Sequence, residues 1–116
     1  MYLTEFTFPF YLTRVIDADT LVGDIDLGFK ITLFDQRIRL YGVDAPEIRG
    51  PEKEEGLIAK NFVENILKEF SLYIVSHNYD SFGRILAEVL LVEEASKSTI
   101  DLSTLLLDLD FVKPYT

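Results

Sequence analysis

Apolar and polar residues alternate through much of the first half of the chain. Three segments there are rich in β-branched and aromatic residues, a composition typical of strands: Tyr11 to Ile16, Thr20 to Leu27 and Phe29 to Val43. Gly28, between the second and third segments, predicts a turn. Within the third segment the apolar positions change parity across Asp35 and Gln36, which predicts a bulge or bend.

A helix is the clearest prediction from the pattern, and it runs from about Glu52 to Glu69. Large apolar residues recur there every four positions, at Ile58, Phe62, Ile66 and Phe70, with Val63 and Leu67 beside them. Pro51 suits the first turn of such a helix.

The second half contributes two more strands and a short helix. The strands are Leu72 to Ser76 and Ile85 to Val92, separated by a polar turn at residues 77–81, and the helix is Asp101 to Leu109. The order of strand, strand, strand, helix, strand, strand predicts a mainly β (α+β) fold. It is a five-stranded Greek-key barrel of the OB type with one main helix and one short C-terminal helix. A mixed sheet carrying one helix is the alternative. Since no repeat or long linker interrupts the pattern, residues 1–116 are predicted to form a single domain.

Composition removes several classes of chemistry. The chain has no cysteine and one histidine, so disulfide frameworks, zinc fingers, cysteine nucleophiles and metalloproteases with two histidines are excluded. A serine triad would need His77 as its base. No apolar run approaches the roughly 18 residues of a membrane span. Glu5 and Pro9 interrupt the apolar N-terminus, so no signal peptide is expected and the predicted location is cytoplasmic.

The charge balance limits how a polyanion can be bound. Eleven Lys and Arg stand against 20 Asp and Glu, a net charge of -9. Such a surface repels nucleic acid at long range, so a nucleic acid would have to be held by a local basic site or by a bound cation.

Three carboxylates and two arginines lie where predicted strands end. Asp19, Asp44 and Glu47 are free there to converge on a hard cation, which takes oxygen ligands. Arg39 and Arg84 carry planar guanidinium groups that match two phosphate oxygens at once. Taken singly, the carboxylates fit ordinary turns and the arginines fit surface salt bridges.

Taken together, these residues resemble the staphylococcal nuclease, or thermonuclease, family over roughly residues 11–115. The matching segments are Val15-Ile16-Asp17-Ala18-Asp19-Thr20, then Arg39-Leu40-Tyr41-Gly42-Val43-Asp44-Ala45-Pro46-Glu47, then Asp80-Ser81-Phe82-Gly83-Arg84. The order and the spacing of these segments both fit the family.

The resemblance implies a calcium-dependent nuclease that cleaves DNA and RNA with little sequence preference and leaves a 3′-phosphate. By the same resemblance, Asp19, Asp44 and the backbone carbonyl of Ala45 hold the calcium ion. Glu47 is the general base, and Arg39 and Arg84 neutralise charge on the phosphate. Phe82 and Tyr115 take the places of two substrate-binding tyrosines. For Tyr115 a core or rim aromatic fits the residues equally well.

The chain also departs from the family. The interval between Asp19 and Arg39 is longer, so the hairpin between the second and third strands should protrude. Asp24 and Asp26 could then reach the site, although a solubilising role on the hairpin is favoured. The chain stops at Thr116 without the family's long C-terminal helix, and its oligomeric state stays open.

Two other functions are compatible with the sequence. The first is a non-catalytic OB-fold module that binds single-stranded nucleic acid or a protein. The second is an assembly protein that docks through Phe6, Phe8 and Phe10, which fit equally a first strand packed on its own barrel. The nuclease is favoured, because a binding module has no need to keep all five charged groups. A phage or mobile element is one hypothetical source of a nuclease without a signal peptide.

Overall fold

The computed structural model describes residues 6–115, and residues 1–5 and 116 lie outside the described part. The strands are β1 (Thr7–Asp17), β2 (Thr20–Gly28), β3 (Ile31–Leu40), β4 (Val43–Asp44), β5 (Ser71–Tyr79), β6 (Ile85–Val92), β7 (Thr99–Asp101) and β8 (Lys113–Pro114). The helices are α1 (Lys53–Ile66) and α2 (Leu102–Asp108). Short 3-10 turns at Gly50–Glu52 and Leu67–Glu69 flank α1.

Five strands close into a barrel in the order β3-β2-β1-β5-β6. The closing pair is parallel and joins β3 to β6, with Ile38 opposite Ile85 and Leu40 opposite Ala87. The mainly β barrel predicted from the sequence is therefore confirmed, and the open mixed sheet is not formed. Strand β7 extends the sheet beside β6, and β4 pairs with β8 in a separate ribbon.

The two helices cover the barrel through small and aliphatic residues. The buried face of α1 carries Gly56, Ala59 and Val63, and Leu67 follows in the next turn. Ile58, predicted to belong to the apolar face, is 60% exposed. The other predicted positions, Phe62, Ile66 and Phe70, are partly buried and pack against the core, so the predicted face is confirmed except at Ile58. Helix α2 buries Leu102 and Leu106 in the same core.

The β2–β3 hairpin turns more sharply than predicted. Phe29 and Lys30 both have positive φ angles, as does Gly28 before them, so a two-residue loop of the I′ type joins the strands. The third strand therefore begins at Ile31, not at Phe29. Asp35 also has a positive φ, and the register shifts where it faces Asp24, which confirms the predicted bulge.

Two further boundaries differ from the sequence prediction. Strand β1 begins at Thr7 and pairs with β5, so Phe8 and Phe10 pack on their own barrel while Phe6 is exposed. The polar turn predicted at residues 77–81 is wrong in its first half. Strand β5 continues to Tyr79, because its last residues still pair with the beginning of β6.

No helix within residues 6–115 is long and apolar enough to cross a membrane. The barrel, α1 and α2 share one hydrophobic core. The single domain predicted for residues 1–116 includes residues outside the described part and stays a prediction.

Candidate active site

Asp19 lies in the two-residue turn between β1 and β2 and joins three segments of the chain. Its Oδ1 accepts a hydrogen bond from the Thr20 hydroxyl at 2.9 Å, and its Oδ2 accepts one from the backbone N–H of Ala45 at 2.8 Å. Its own carbonyl accepts from the N–H of Leu40 at 2.9 Å. Because the residue is only 6% exposed, these bonds fix the direction of the carboxylate.

Arg39, at the end of β3, binds both predicted metal-binding carboxylates. Its Nη1 lies 3.4 Å from Oδ2 of Asp19, and its Nη2 lies 3.3 Å from Oδ1 of Asp44. The same Nη1 donates to the carbonyl oxygens of Leu40 and Val43 at 3.1 and 2.7 Å. The guanidinium thus holds the tight turn after β3 and lies within 3.4 Å of both aspartates.

The β4–β8 ribbon positions Asp44 and Tyr115. Asp44 pairs with Lys113 across the ribbon, and the N–H of Tyr115 donates to the carbonyl of Gly42 at 2.9 Å. The side chain of Asp44 is 57% exposed. The ring of Tyr115 lies 5.6 Å from the guanidinium carbon of Arg39, close enough for a cation–π contact. The C-terminal segment therefore forms one wall of the site.

The loop that carries Arg84 folds around the carboxylate of Asp80. Oδ1 of Asp80 accepts the N–H groups of Phe82 and Arg84 at 2.9 Å each, and Oδ2 accepts Nε of Arg84 at 2.6 Å. Although burial by itself raises the pKa of Asp80, the hydrogen bonds and the charge of Arg84 hold it below its ordinary value. The ionised carboxylate thus orients the arginine.

The two arginines line a single cavity of about 530 Å³, a size suited to a nucleotide. Its lining includes Arg39, Asp44, Arg84 and three exposed aromatic residues, Tyr41, Phe82 and Tyr115. The ring of Phe82 lies 5.4 Å from the guanidinium carbon of Arg84. Cationic and aromatic groups of this kind suit a phosphate and a base.

Glu47 is exposed and lies outside the lining of this cavity. Its carboxylate is near that of Asp17, whose pKa is raised by burial and then by the charges of Asp19 and Glu47, while Lys60 and Arg49 oppose the rise. Asp17, Asp19 and Glu47 therefore form a region of excess negative charge at the end of the β1–β2 turn.

The backbone of Glu47 rests directly on helix α1. A Cβ atom at Gly56 would lie 2.2 Å from the carbonyl oxygen of Glu47 and 2.9 Å from the nitrogen of Ile48. The N–H of Glu47 also donates to a carboxylate oxygen of Glu52, the residue before α1, at 3.4 Å. Gly56 therefore sets how closely the loop that carries Glu47 approaches the helix.

The donors present suit a hard cation. Within residues 6–115, no three His, Cys, Asp or Glu side chains come together closely enough to hold a metal ion by themselves. Asp19 and Asp44 face the two terminal nitrogens of one guanidinium, and Oδ1 of Asp19 has a lone pair beyond its bond from Thr20. Carboxylate and carbonyl oxygens, completed by water, are the ligands that Ca²⁺ and Mg²⁺ accept.

Comparison with known proteins places the chain in a family. The family described as staphylococcal nuclease homologue matches residues 37–107, which is more than half of the chain. The chain belongs to the staphylococcal nuclease family. The match includes Arg39, Asp44, Glu47 and Arg84. The chain is also 36% identical over 90 residues to a protein named thermonuclease from Staphylococcus intermedius.

The aligned part covers 73% of this chain and 50% of the Staphylococcus intermedius protein. This member of the nuclease family thus spans about half the length of that relative. Asp19 and Tyr115 lie outside the matched residues 37–107, and it is the fold that brings them to Arg39.

Two residues predicted as possible neighbours of the site serve the hairpin instead. Asp24 accepts the N–H of Asp35, and Asp26 accepts the N–H of Gly28. The solubilising, edge-protecting role favoured for them stays a prediction.

Sequence reasoning assigned no role to Asp17, Gly56 or Asp80. Asp17 and Asp80 lie inside the segments that resemble the nuclease family, and this position could have indicated that they belong near the site. A lone glycine within a strong helical pattern was the corresponding signal for Gly56.

Proposed function

We propose that this chain is a metal-dependent nuclease that hydrolyses phosphodiester bonds of DNA, RNA or both with little sequence preference. The observation that carries the proposal is the single cavity lined by Arg39 and Arg84, in which Arg39 bridges the carboxylates of Asp19 and Asp44. Membership of the staphylococcal nuclease family supports the same conclusion.

The two arginines would bind the phosphate in different ways. Arg84 is paired with Asp80 through Nε. Its two terminal nitrogens can therefore form a bidentate contact with a phosphate. The terminal nitrogens of Arg39 already contact two backbone carbonyls of the turn after β3 and the carboxylates of two aspartates. We therefore assign to Arg84 the direct stabilisation of charge on the phosphate. Arg39 adds a fixed positive charge beside it.

We propose that the metal is Ca²⁺, held by Asp19, Asp44 and the backbone carbonyl of Ala45. The bond from the Ala45 N–H to Asp19 supports this set, because it keeps the two residues adjacent. When bound, a divalent cation polarises the phosphate and lowers the pKa of bound water. It also offsets the negative charge that Asp17, Asp19 and Glu47 concentrate at the turn.

Glu47 is proposed as the general base. It is an exposed carboxylate on the side of Asp17 and Asp19, where it can take a proton from the attacking water. Its backbone contacts both Glu52 and Gly56, so the start of helix α1 sets the position of the proposed base. No nucleophilic side chain is required, because water attacks the phosphorus directly while the bond to the 5′ oxygen breaks and that oxygen takes up a proton from solvent.

Two substitutions separate metal binding from turnover. Glu47→Ala should lower kcat about 10²- to 10⁴-fold, the usual contribution of a general base, while calcium binding measured by titration calorimetry changes little. Asp44→Ala should weaken both. Glu54→Ala, which changes an exposed carboxylate of α1, is the matched control and should alter neither. Full activity in both Glu47→Ala and Asp44→Ala would show that the site is wrong.

A further inference from the structure

Tyr41 and His77 form a stacked pair at the edge of the arginine cavity. Their ring centroids are 4.1 Å apart and their planes differ by 1°. Tyr41 lies in the turn between β3 and β4. His77 lies at the register shift of β5, where Ser76 pairs with Ala87 and Asn78 with Leu86. A bulge redirects the side chain of the extra residue, and this one brings His77 against Tyr41.

The pair is held in place from both sides. His77 Nε2 lies 2.7 Å from a carboxylate oxygen of Glu88 on the neighbouring strand. The N–H of Tyr41 donates to the carbonyl of Ala87 at 2.9 Å, and the carbonyl of Tyr41 accepts from the hydroxyl of Ser103 at 3.4 Å. The ring of Tyr41 is therefore already held in one position. A ligand that stacks on it does not have to order the side chain, so little binding free energy is lost.

Tyr41 remains 49% exposed although His77 covers one face of its ring. Tyr41 lines the cavity that holds Arg39 and Arg84, whereas His77 does not. The rings of Phe82 and Tyr115, on the same cavity, each face a guanidinium group. Among the three aromatic residues that line this cavity, Tyr41 is thus the one stacked on another aromatic ring, and about half of its surface is still exposed to solvent.

We propose that Tyr41, backed by His77, is a stacking site for an unpaired nucleobase of a nucleotide that flanks the phosphate bound at Arg84. The proposal rests on the proposed function only in placing that phosphate. Bases stack on aromatic side chains whatever their identity, because every base has a π-face. A base inside a duplex has both faces covered by its neighbours, so the site takes single-stranded or extruded nucleotides.

The test measures binding, in the presence of calcium, of fluorescently labelled oligothymidylate, oligouridylate and a duplex of the same length. All proteins carry Glu47→Ala to suppress cleavage. Tyr41→Leu should weaken binding of both single strands about 5- to 140-fold, the range for one stacked base, and leave duplex binding unchanged. Tyr41→Phe should restore the affinity, because the ring is kept. His77→Ala should lose less than Tyr41→Leu does.

Tyr11→Leu is the matched control, since Tyr11 is an exposed tyrosine of β1 away from the cavity, and it should bind as the parent does. Thermal unfolding of each variant checks that it is folded. Unchanged single-strand binding by Tyr41→Leu, or equal losses for single strands and duplex, would overturn the proposal. A loss confined to one of the two single strands would also overturn it, because both offer a base face.

Cleavage assays on proteins with an intact Glu47 distinguish the two proposals. If the parent chain cleaves nucleic acid but Tyr41→Leu binds single strands normally, the stacking site is refuted and the nuclease proposal stands. Weakened binding by Tyr41→Leu in a chain that never cleaves nucleic acid refutes the nuclease and leaves the stacking site standing.

Discussion

The contact between Gly56 and the loop that carries Glu47 makes an unusual prediction for Gly56→Ala. In a helix interior, this change normally stabilises the folded protein by about 1 kcal/mol. Here the new Cβ would lie 2.2 Å from the carbonyl oxygen and 2.5 Å from the carbonyl carbon of Glu47, where 3.4–4 Å is ordinary contact. The loop or the helix must therefore move by roughly 1 Å to relieve the overlap.

A shift of this size at a catalytic group costs on the order of 10²-fold in rate, and overpacking costs about 1–3 kcal/mol of stability. Gly56→Ala should thus lower both kcat, from cleavage assays, and the free energy of unfolding, from urea titration. Asn61→Ala, at an exposed site of the same helix, is the control that should leave kcat unchanged and raise stability by about 0.5 kcal/mol. A Gly56→Ala protein that is more stable and fully active would refute the reasoning.

Four further predictions each concern one charged residue. Arg39→Ala should lower the free energy of unfolding by about 3–5 kcal/mol, because it leaves the buried carboxylate of Asp19 unpaired. Arg84→Ala should lower kcat with a much smaller effect on unfolding, and equal losses of stability in the two variants would contradict these assignments. Asp80 has a lowered pKa, so its contribution to stability is complete above pH 3.8 and is lost as the pH falls through the folded-state value. Asp80→Asn should therefore be less stable than the parent at neutral pH, and urea titrations should show the difference closing only below pH 3.8. Asp17 has a raised pKa, so its ionisation costs stability once the pH rises above 3.8. Asp17→Asn should be more stable than the parent at neutral pH and equal to it in acid, and the opposite pH trend in urea titrations would exclude the proposed crowding of carboxylates.

Alternation of apolar residues was sufficient to predict the barrel. Strand β6 buries every second residue, and the parity change at Asp35 marked the bulge of β3. The end of β5 could not be predicted in this way. Its last residues, His77 to Tyr79, are polar or exposed, and only pairing with β6 makes them a strand.

The site divides along similar lines. That Arg39, Asp44 and Arg84 share one cavity could be predicted, because each lies near a strand end that the barrel brings together, whereas Glu47 lies outside its lining. Contacts between segments that are distant in sequence could not be predicted. The approach of Gly56 to Glu47 and the stacking of His77 on Tyr41 depend on how a helix and a bulged strand pack, which no local pattern specifies.

The central claim is metal-dependent hydrolysis of nucleic acid, and its most direct test is cleavage by the purified chain. Single-stranded DNA, duplex DNA and RNA would be incubated with calcium, with magnesium or with chelator, beside Glu47→Ala. We expect cutting in calcium, none in chelator and little by Glu47→Ala. Cutting that survives the chelator, or no cutting by a folded protein that binds calcium, would contradict the central claim.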